Sequence, residues 1–328
     1  MYPSPGTTVY SYRPELGQAL SELDLAMARN GFIGLKVAVP LEMGLAGGPF
    51  PIIPLRSLLI NPEGGLGRSS RGDYQRVAWD FDTDSFSCKE TGIEIPVDDR
   101  LKAVYANFFD AELVSAEISR DIVLRDREKQ IADTVMDTDA IQNAACGATW
   151  KNHTDGDPIT DVDNNKKTMR DRCGYKPNCM VVTWNVYSMH LRHNTKIIDR
   201  IASQGAGGAV KASDITPTVL AQVFDIDYFF VADAIRNTAK PDKDVVIADI
   251  WSNEKALLCR IAPPGDRNPA TPSMARTLHW AADGSTIGAT VESYGSNPVR
   301  GKVLRARMDT EIKIMNASQG QIITGIYA

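Results

Sequence analysis

The longest unbroken pattern in the chain is FDAELVSAEISRDIVLRDREKQIADTVMD, residues 109–137, which contains neither Pro nor Gly. Leu113, Val114, Ile118, Ile122, Leu124, Ile131, Val135 and Met136 recur mostly three, four or seven positions apart, with Glu112, Glu117, Arg120, Asp121, Arg127, Glu128 and Asp133 among them. That spacing predicts one amphipathic helix. At about 1.5 Å per residue it extends roughly 40 Å, more than a compact domain needs internally, and it reads either as a surface helix on a globular core or as a rod that fixes how neighbouring lobes sit. Ile122 and Ile131 are expected on its buried face, and Arg120, Arg125, Arg127 and Glu128 on a free charged face.

Ahead of the helix the period changes to two. In residues 74–97, Tyr74 leads into Val77, Trp79 and Phe81 on one face, followed by Phe86, Cys88, Ile93 and Ile95. This predicts two strands joined near residues 82–85 as a β-hairpin. A lone hairpin is marginal in water, so it is expected to project and be covered by another body. Residues 1–50 are broken by Pro and Gly throughout and read as an arm, with one helical candidate over 15–30 closed by Gly31.

Beyond the long helix, residues 153–167 read as a polar loop, 180–183 as a buried strand, and 187–193 and 196–201 as short helical pieces. Residues 204–208 read as a loop, and a helix opens at Thr216 and Pro217. Strands are expected over 228–232, 245–251, 255–262, 278–281, 290–294, 303–308, 311–315 and 321–328. Helices and strands follow no βαβ period, which places the chain in the α+β class.

Composition narrows the function. The 328 residues are 43% apolar and 23% charged with a net charge of −5, enough for one or two ordinary cores and without the basic excess of a general polyanion binder. The five cysteines, odd in number and scattered, read as reduced thiols. The N-terminal stretch has neither the basic start nor the apolar centre of a signal peptide, and no run approaches the roughly 20 apolar residues of a membrane span, which predicts synthesis in the cytoplasm.

Chemistry-bearing motifs are sparse. Cys173, Cys179, His190 and His193 lack the paired-knuckle spacing of structural zinc, so no metal is expected there. Asp155, Asp157, Asp161 and Asp163 lack the glycine and closing Glu of a calcium loop, and no Lys-Ser or Lys-Thr follows Gly205, Gly207 and Gly208 as a phosphate loop requires. No nucleophile elbow or zinc-protease motif is present. The chain is therefore read as no enzyme and as needing no cofactor. The remaining enzyme alternative is a soluble α+β protein using the Cys/His cluster.

The order of these parts resembles the major capsid proteins of tailed bacteriophages, the Hong Kong 97-like fold. Residues 74–99 with 109–136 are similar to that family's extended loop running into its spine helix. DPITDVDNNKKTMRDRCGYKPNCMVVTWNVYSMHLRHNTKIIDRI (157–201), with its Asp-Pro-Ile and Gly174, Pro177, Asn178 turns, resembles the family's crossover. TPTVLAQVFDIDYFFVADAIRNTA with Ile250 and Trp251 resembles its axial lobe, and PSMARTLHW with VLRARMDTEIKIMNASQGQII its closing strands.

The resemblance implies an N-terminal arm at 1–55 and an extended β-hairpin loop at 56–98. It implies a peripheral domain at 99–176 and 297–318 that carries the spine helix 109–137, and an axial domain at 177–296 and 319–328. It further implies pentamers and hexamers closing into an icosahedral shell around double-stranded DNA contacted non-specifically. The implied location is the virion, assembled in the host bacterial cytoplasm without a membrane. Implied partners are a portal protein, a separate scaffolding protein, since residues 1–50 hold no long charged helix, and a cement or decoration protein. Assembly contacts are expected at Tyr74, Val77, Trp79, Phe81, Phe86, Ile93, Ile95, Ile118, Ile122, Ile131 and Trp251. An encapsulin-like compartment shell is the alternative with the same fold.

Overall fold

The computed structural model describes residues 25–61, 66–68, 70–106, 109–203, 211–240, 243–296 and 298–327. The expected helix over 15–30 therefore lies mostly outside the described residues, and the 204–208 loop wholly so. Two five-stranded sheets organise the rest.

The first sheet is built on β13 (Gly301–Ile314), a single strand where the sequence suggested two. Its antiparallel ladder with β4 (Lys89–Asp98) runs from Gly301 opposite Asp98 to Thr310 opposite Lys89. β12 (Thr290–Ser296) pairs with the first half of β13 and β11 (Ala275–Trp280) with the second, and β1 (Pro40–Met43) adds on parallel to β11. The second sheet runs β5 (Asn143–Ala145), β14 (Gly320–Thr324), β10 (Lys255–Cys259), β6 (Cys179–Thr183), β7 (Tyr228–Ala232). Both sheets mix parallel and antiparallel pairs, as an α+β chain does. Two ribbons complete the strands: β2 (Gly47–Ile52) with β3 (Asp82–Ser87), and β8 (Ile235–Asn237) with β9 (Ile247–Asp249).

The spine helix spans Ala111–Val135, opened by Asp110, whose carboxylate accepts from the Glu112 and Leu113 amides. It crosses the first sheet, packing Val123 and Leu124 on Ala306 and Met308, and its far end enters the core with Ile131, Ala132 and Val135. The buried face is the one the apolar spacing suggested only in the second half of the helix: Leu124, Ile131, Val135 and Met136 are buried, Ile118 and Ile122 are not. Ile122 is 41% exposed, whereas Arg127 and Glu128 are 6% and 3% exposed. None of the four expected free charges is free: Arg120 donates to the Gly288 carbonyl, and Arg125 pairs with Asp121 and lies over the Phe32 ring. Arg127 donates to the Ile287 carbonyl, and burial lowers its pKa to about 10, still protonated at neutral pH.

Glu128 explains the exchange. Its carboxylate accepts from the Ile33 and Gly34 amides at 2.9–3.0 Å and from Trp251 Nε1 at 2.9 Å. It thereby satisfies the open N-terminus of the turn Gly34–Val37 and a buried indole together. Position 34 must be glycine, because a Cβ there would stand 2.6 Å from Glu128 Oε2 and 2.8 Å from Ile131 Cδ1. The segment read as an arm therefore contributes Ile33, Val37 and Ala38 to the main core.

The expected hairpin is also rearranged. Only Cys88 separates β3 from β4, too short a link for even a two-residue hairpin loop, so the two strands cannot pair with each other. β3 pairs with β2 and β4 with β13, and residues 73–81 run without ladder partners. Residues 158–173, read as part of a polar loop and crossover, form a helix (Pro158–Cys173). Asp157 caps it, Pro158 opens it and Gly174 closes it at φ 76°, while Val162, Asn165, Met169 and Cys173 bury a stripe at helical spacing.

Replacing Glu128 by Gln is expected to cost about 1.5–3 kcal/mol, since three hydrogen bonds to a charged acceptor are weakened together. Ile131→Asp, at a fully buried position, is expected to prevent folding. Urea denaturation of the soluble subunit checks both, and a Glu128→Gln midpoint equal to wild type would refute the first.

Candidate assembly surface

The extended loop leaves the first sheet through a charged root. Asp84 accepts from Lys313 Nζ at 2.9 Å, Glu311 from the Ser87 amide, and Glu94 from Arg305 at 2.7 Å. The Lys313 hydrogen bond holds the Asp84 carboxyl below the usual range, and Arg305 does the same for Glu94. Deeper in the root, Arg307 joins Glu292, at 2.8 Å, to Asp283. Asp309, buried beside them and opposite Glu90, is raised to about 6 by burial and by Asp283. Burial first, and then the neighbouring Asp283 carboxylate, disfavour its charged form.

Past the root, apolar side chains stand in solvent. Leu55, Leu58, Leu59 and Ile60 follow β2, and Tyr74, Val77, Trp79 and Phe81 precede β3. The two runs are tied together: Ser57 Oγ donates to the Asp80 carbonyl at 2.7 Å, and Arg56 pairs with Asp82. Trp79 is 64% exposed and Leu59 69%. A soluble monomer has no reason to present such a concentration of large apolar groups.

A second exposed stripe lies on the first half of the spine helix, where Val114, Ile118 and Ile122 recur four apart beside Leu113. Beneath it, Glu112 accepts from both Lys102 and Lys302, which hold its carboxyl below the ordinary value. A third lies at Val245, Val246 and Ile247, leading into β9.

The eleven sequence-marked residues thus separate. Tyr74, Val77, Trp79, Phe81, Ile118 and Ile122 are exposed and can meet a neighbour. Phe86, Ile131 and Trp251 are buried in this chain, and Ile93 and Ile95 are half-buried. Phe86 sits with Leu41 and Leu278, Ile93 beside Val123 and Leu124, and Trp251 on Glu128. Leu55, Leu58, Leu59, Ile60 and the Val245–Ile247 run went unmarked because a short apolar cluster among prolines, or before a strand, has no period to set it apart from core.

Among the described residues no group of three or more His, Cys, Asp or Glu side chains is placed to hold a metal, and no helix is long and apolar enough to cross a membrane. No protein-family model matches the chain. A curated relative, the major capsid protein of Burkholderia phage BcepMu, is 26% identical over 267 residues, covering 79% of this chain and 81% of that one. Among solved structures, a phage-related protein from Bordetella bronchiseptica superposes with a TM-score of 0.63 at 18% identity, over 96% of this chain and 97% of its own. The capsid of cyanophage P-SCSP1u gives 0.58 at 12% identity, over 99% and 96%.

The chain has the Hong Kong 97-like capsid fold.

That fold is shared end to end, so loop, spine helix and both sheets are parts of one architecture. It also extends to the SrpI encapsulin from Synechococcus elongatus, with a TM-score of 0.51 at 10% identity over 94% of this chain and 93% of that one. Within this fold the loop and the first half of the spine helix carry the exposed apolar side chains described above.

Trp79→Ala and Ile122→Asp are expected to leave subunit stability within about 0.5 kcal/mol of wild type while blocking assembly, because neither position is packed in the monomer. Thermal melts beside sedimentation of the same preparations separate the two effects, and a fall in subunit stability with assembly intact would count against these surfaces. Asp309 binds its proton more tightly folded than unfolded, so its contribution to stability falls as pH rises from about 4 to about 6. Asp309→Asn is expected to flatten that part of a melting-temperature profile, and an unchanged slope would refute it.

Proposed function

We propose that this chain is the major capsid protein of a tailed bacteriophage, self-assembling as pentamers and hexamers into an icosahedral head around double-stranded DNA. The observation that carries the reading is a capsid fold shared over the whole chain with its large apolar loop side chains left in solvent. The capsid name of the BcepMu relative supports the phage assignment over the encapsulin one. A structural rather than catalytic role follows from the same likeness.

On this reading the first sheet with the spine helix forms the peripheral domain and the second sheet the axial domain. Strand pairing then moves β11 and β12 to the peripheral side and β5 with the helix Pro158–Cys173 to the axial side of the sequence-based division. The loop reaches neighbouring subunits. Many modest contacts repeated around a closed ring add up to a stable shell. A portal, a separate scaffolding protein, a decoration protein and non-specific DNA contact complete the head, which is assembled in the host cytoplasm.

Expression of the chain, alone and with a scaffolding protein from the same genome, followed by size exclusion and negative-stain microscopy, tests this. Capsomers or closed shells are expected. A species that elutes near 36 kDa under every condition overturns the proposal, and small closed particles filled with a protein cargo would favour the encapsulin reading.

A further inference from the structure

Three of the four histidines in the chain meet at one junction of the second sheet. His190 ends the turn Val186–His190, a π-helical turn, and its Nδ1 stands 3.5 Å from His153 Nε2. His193 stacks on His153 with ring centroids 5.9 Å apart. Tyr327 meets His190 edge-on at 5.2 Å and carries Lys151 Nζ over its ring at 5.6 Å. His190 is 7% exposed, and its Nε2 is buried without a hydrogen-bond partner.

The junction joins three segments. The carbonyl of His153 accepts from the amide and hydroxyl of Thr195, and Asn194 Nδ2 donates to the Gly156 carbonyl. On the other side, the Trp150 amide and Thr149 hydroxyl donate to the Ile326 carbonyl. Residues 149–156 are thus held between the helical turn and the chain end that continues β14.

The charges that act on His190 among the described residues are His153, Lys151 and His193, all basic. The nearby acidic groups are engaged elsewhere: Asp155 with Asn152, Asp157 with Thr160, and Asp161 with Trp150 Nε1 and the Gly147 amide. Arg192 faces away, bonded to the Ala212 carbonyl and lying over Tyr187. Burial, then these basic neighbours, hold His190 below the ordinary imidazole value. A closed junction therefore disfavours the proton that a solvent-exposed imidazole accepts near pH 6.5.

We propose that this three-histidine junction is an acid-labile seam, which opens as pH falls below the ordinary imidazole range and frees residues 149–156 and the chain end while both sheets stay folded. The sign follows from proton uptake. The open form binds more protons than the closed one, so opening gains about tenfold per pH unit for each proton taken up and is suppressed above that range. A buried histidine cluster is a suitable element for such a response.

Hydrogen-exchange mass spectrometry of the full-length protein at pH 7.5 and 5.5, with times scaled for the intrinsic rate, reads the opening directly. Peptides covering 149–156 and 325–327 are expected to lose protection by about tenfold or more at the lower pH, with those covering 301–314 unchanged. His190→Gln should abolish the difference. Should that variant fail to fold, His153→Gln, which removes the imidazole against His190 and keeps His190 itself, should reduce it. Equal protection at both pH values, the same loss in wild type and the folded variant, or a loss spread through 301–314 overturns the proposal.

Discussion

One buried carboxylate holds the subunit together across long sequence distances. Glu128 lies near the middle of the spine helix and takes hydrogen bonds from the amides of Ile33 and Gly34, on one side of it in sequence, and from the Trp251 indole on the other. An isolated buried carboxylate would be prohibitively costly, and burial does push its pKa up, but the three donors hold it in place. The spine helix, the N-terminal segment and the Ile250–Trp251 region share one core because their polar needs converge on this side chain.

That constraint also governs what could be read in advance. The helix was legible to within two residues at each end, since an unbroken 3.6-residue pattern free of Pro and Gly acts locally. Its orientation was legible only in part, because the buried arc also contains Arg127 and Glu128, whose partners lie on distant elements. Binary patterning assigns charges to water, and so it placed Ile131 correctly but put Ile122 inside and Arg127 and Glu128 outside. The same gap hid the helix Pro158–Cys173, whose polar composition outweighed the Asp-Pro opening and glycine stop that mark its ends.

The apolar alternation at Val77, Trp79 and Phe81 misled in the opposite sense. Period two predicted a strand, but no ladder forms over residues 73–81, and the strands begin only at Asp82. The exposed contact residues were legible in part for this reason: unpartnered strand-like sequence looks the same whether its cover lies in the same chain or in another. Phe86 and Ile93, in the same alternating stretch, find their cover at home.

The direct passage from β3 to β4 at Cys88 has a mechanical consequence. β4 is locked to β13 over ten paired positions, and a slip by one would turn Ile93, Ile95 and Val97 away from the helix, so this section cannot slide. β3 belongs to a separate ribbon and is held to β13 only by side chains such as Asp84. The loop therefore leaves the body through two unlike attachments, a β4 base whose register the ladder fixes and a β3 ribbon tied on by ion pairs and the buried Phe86 ring.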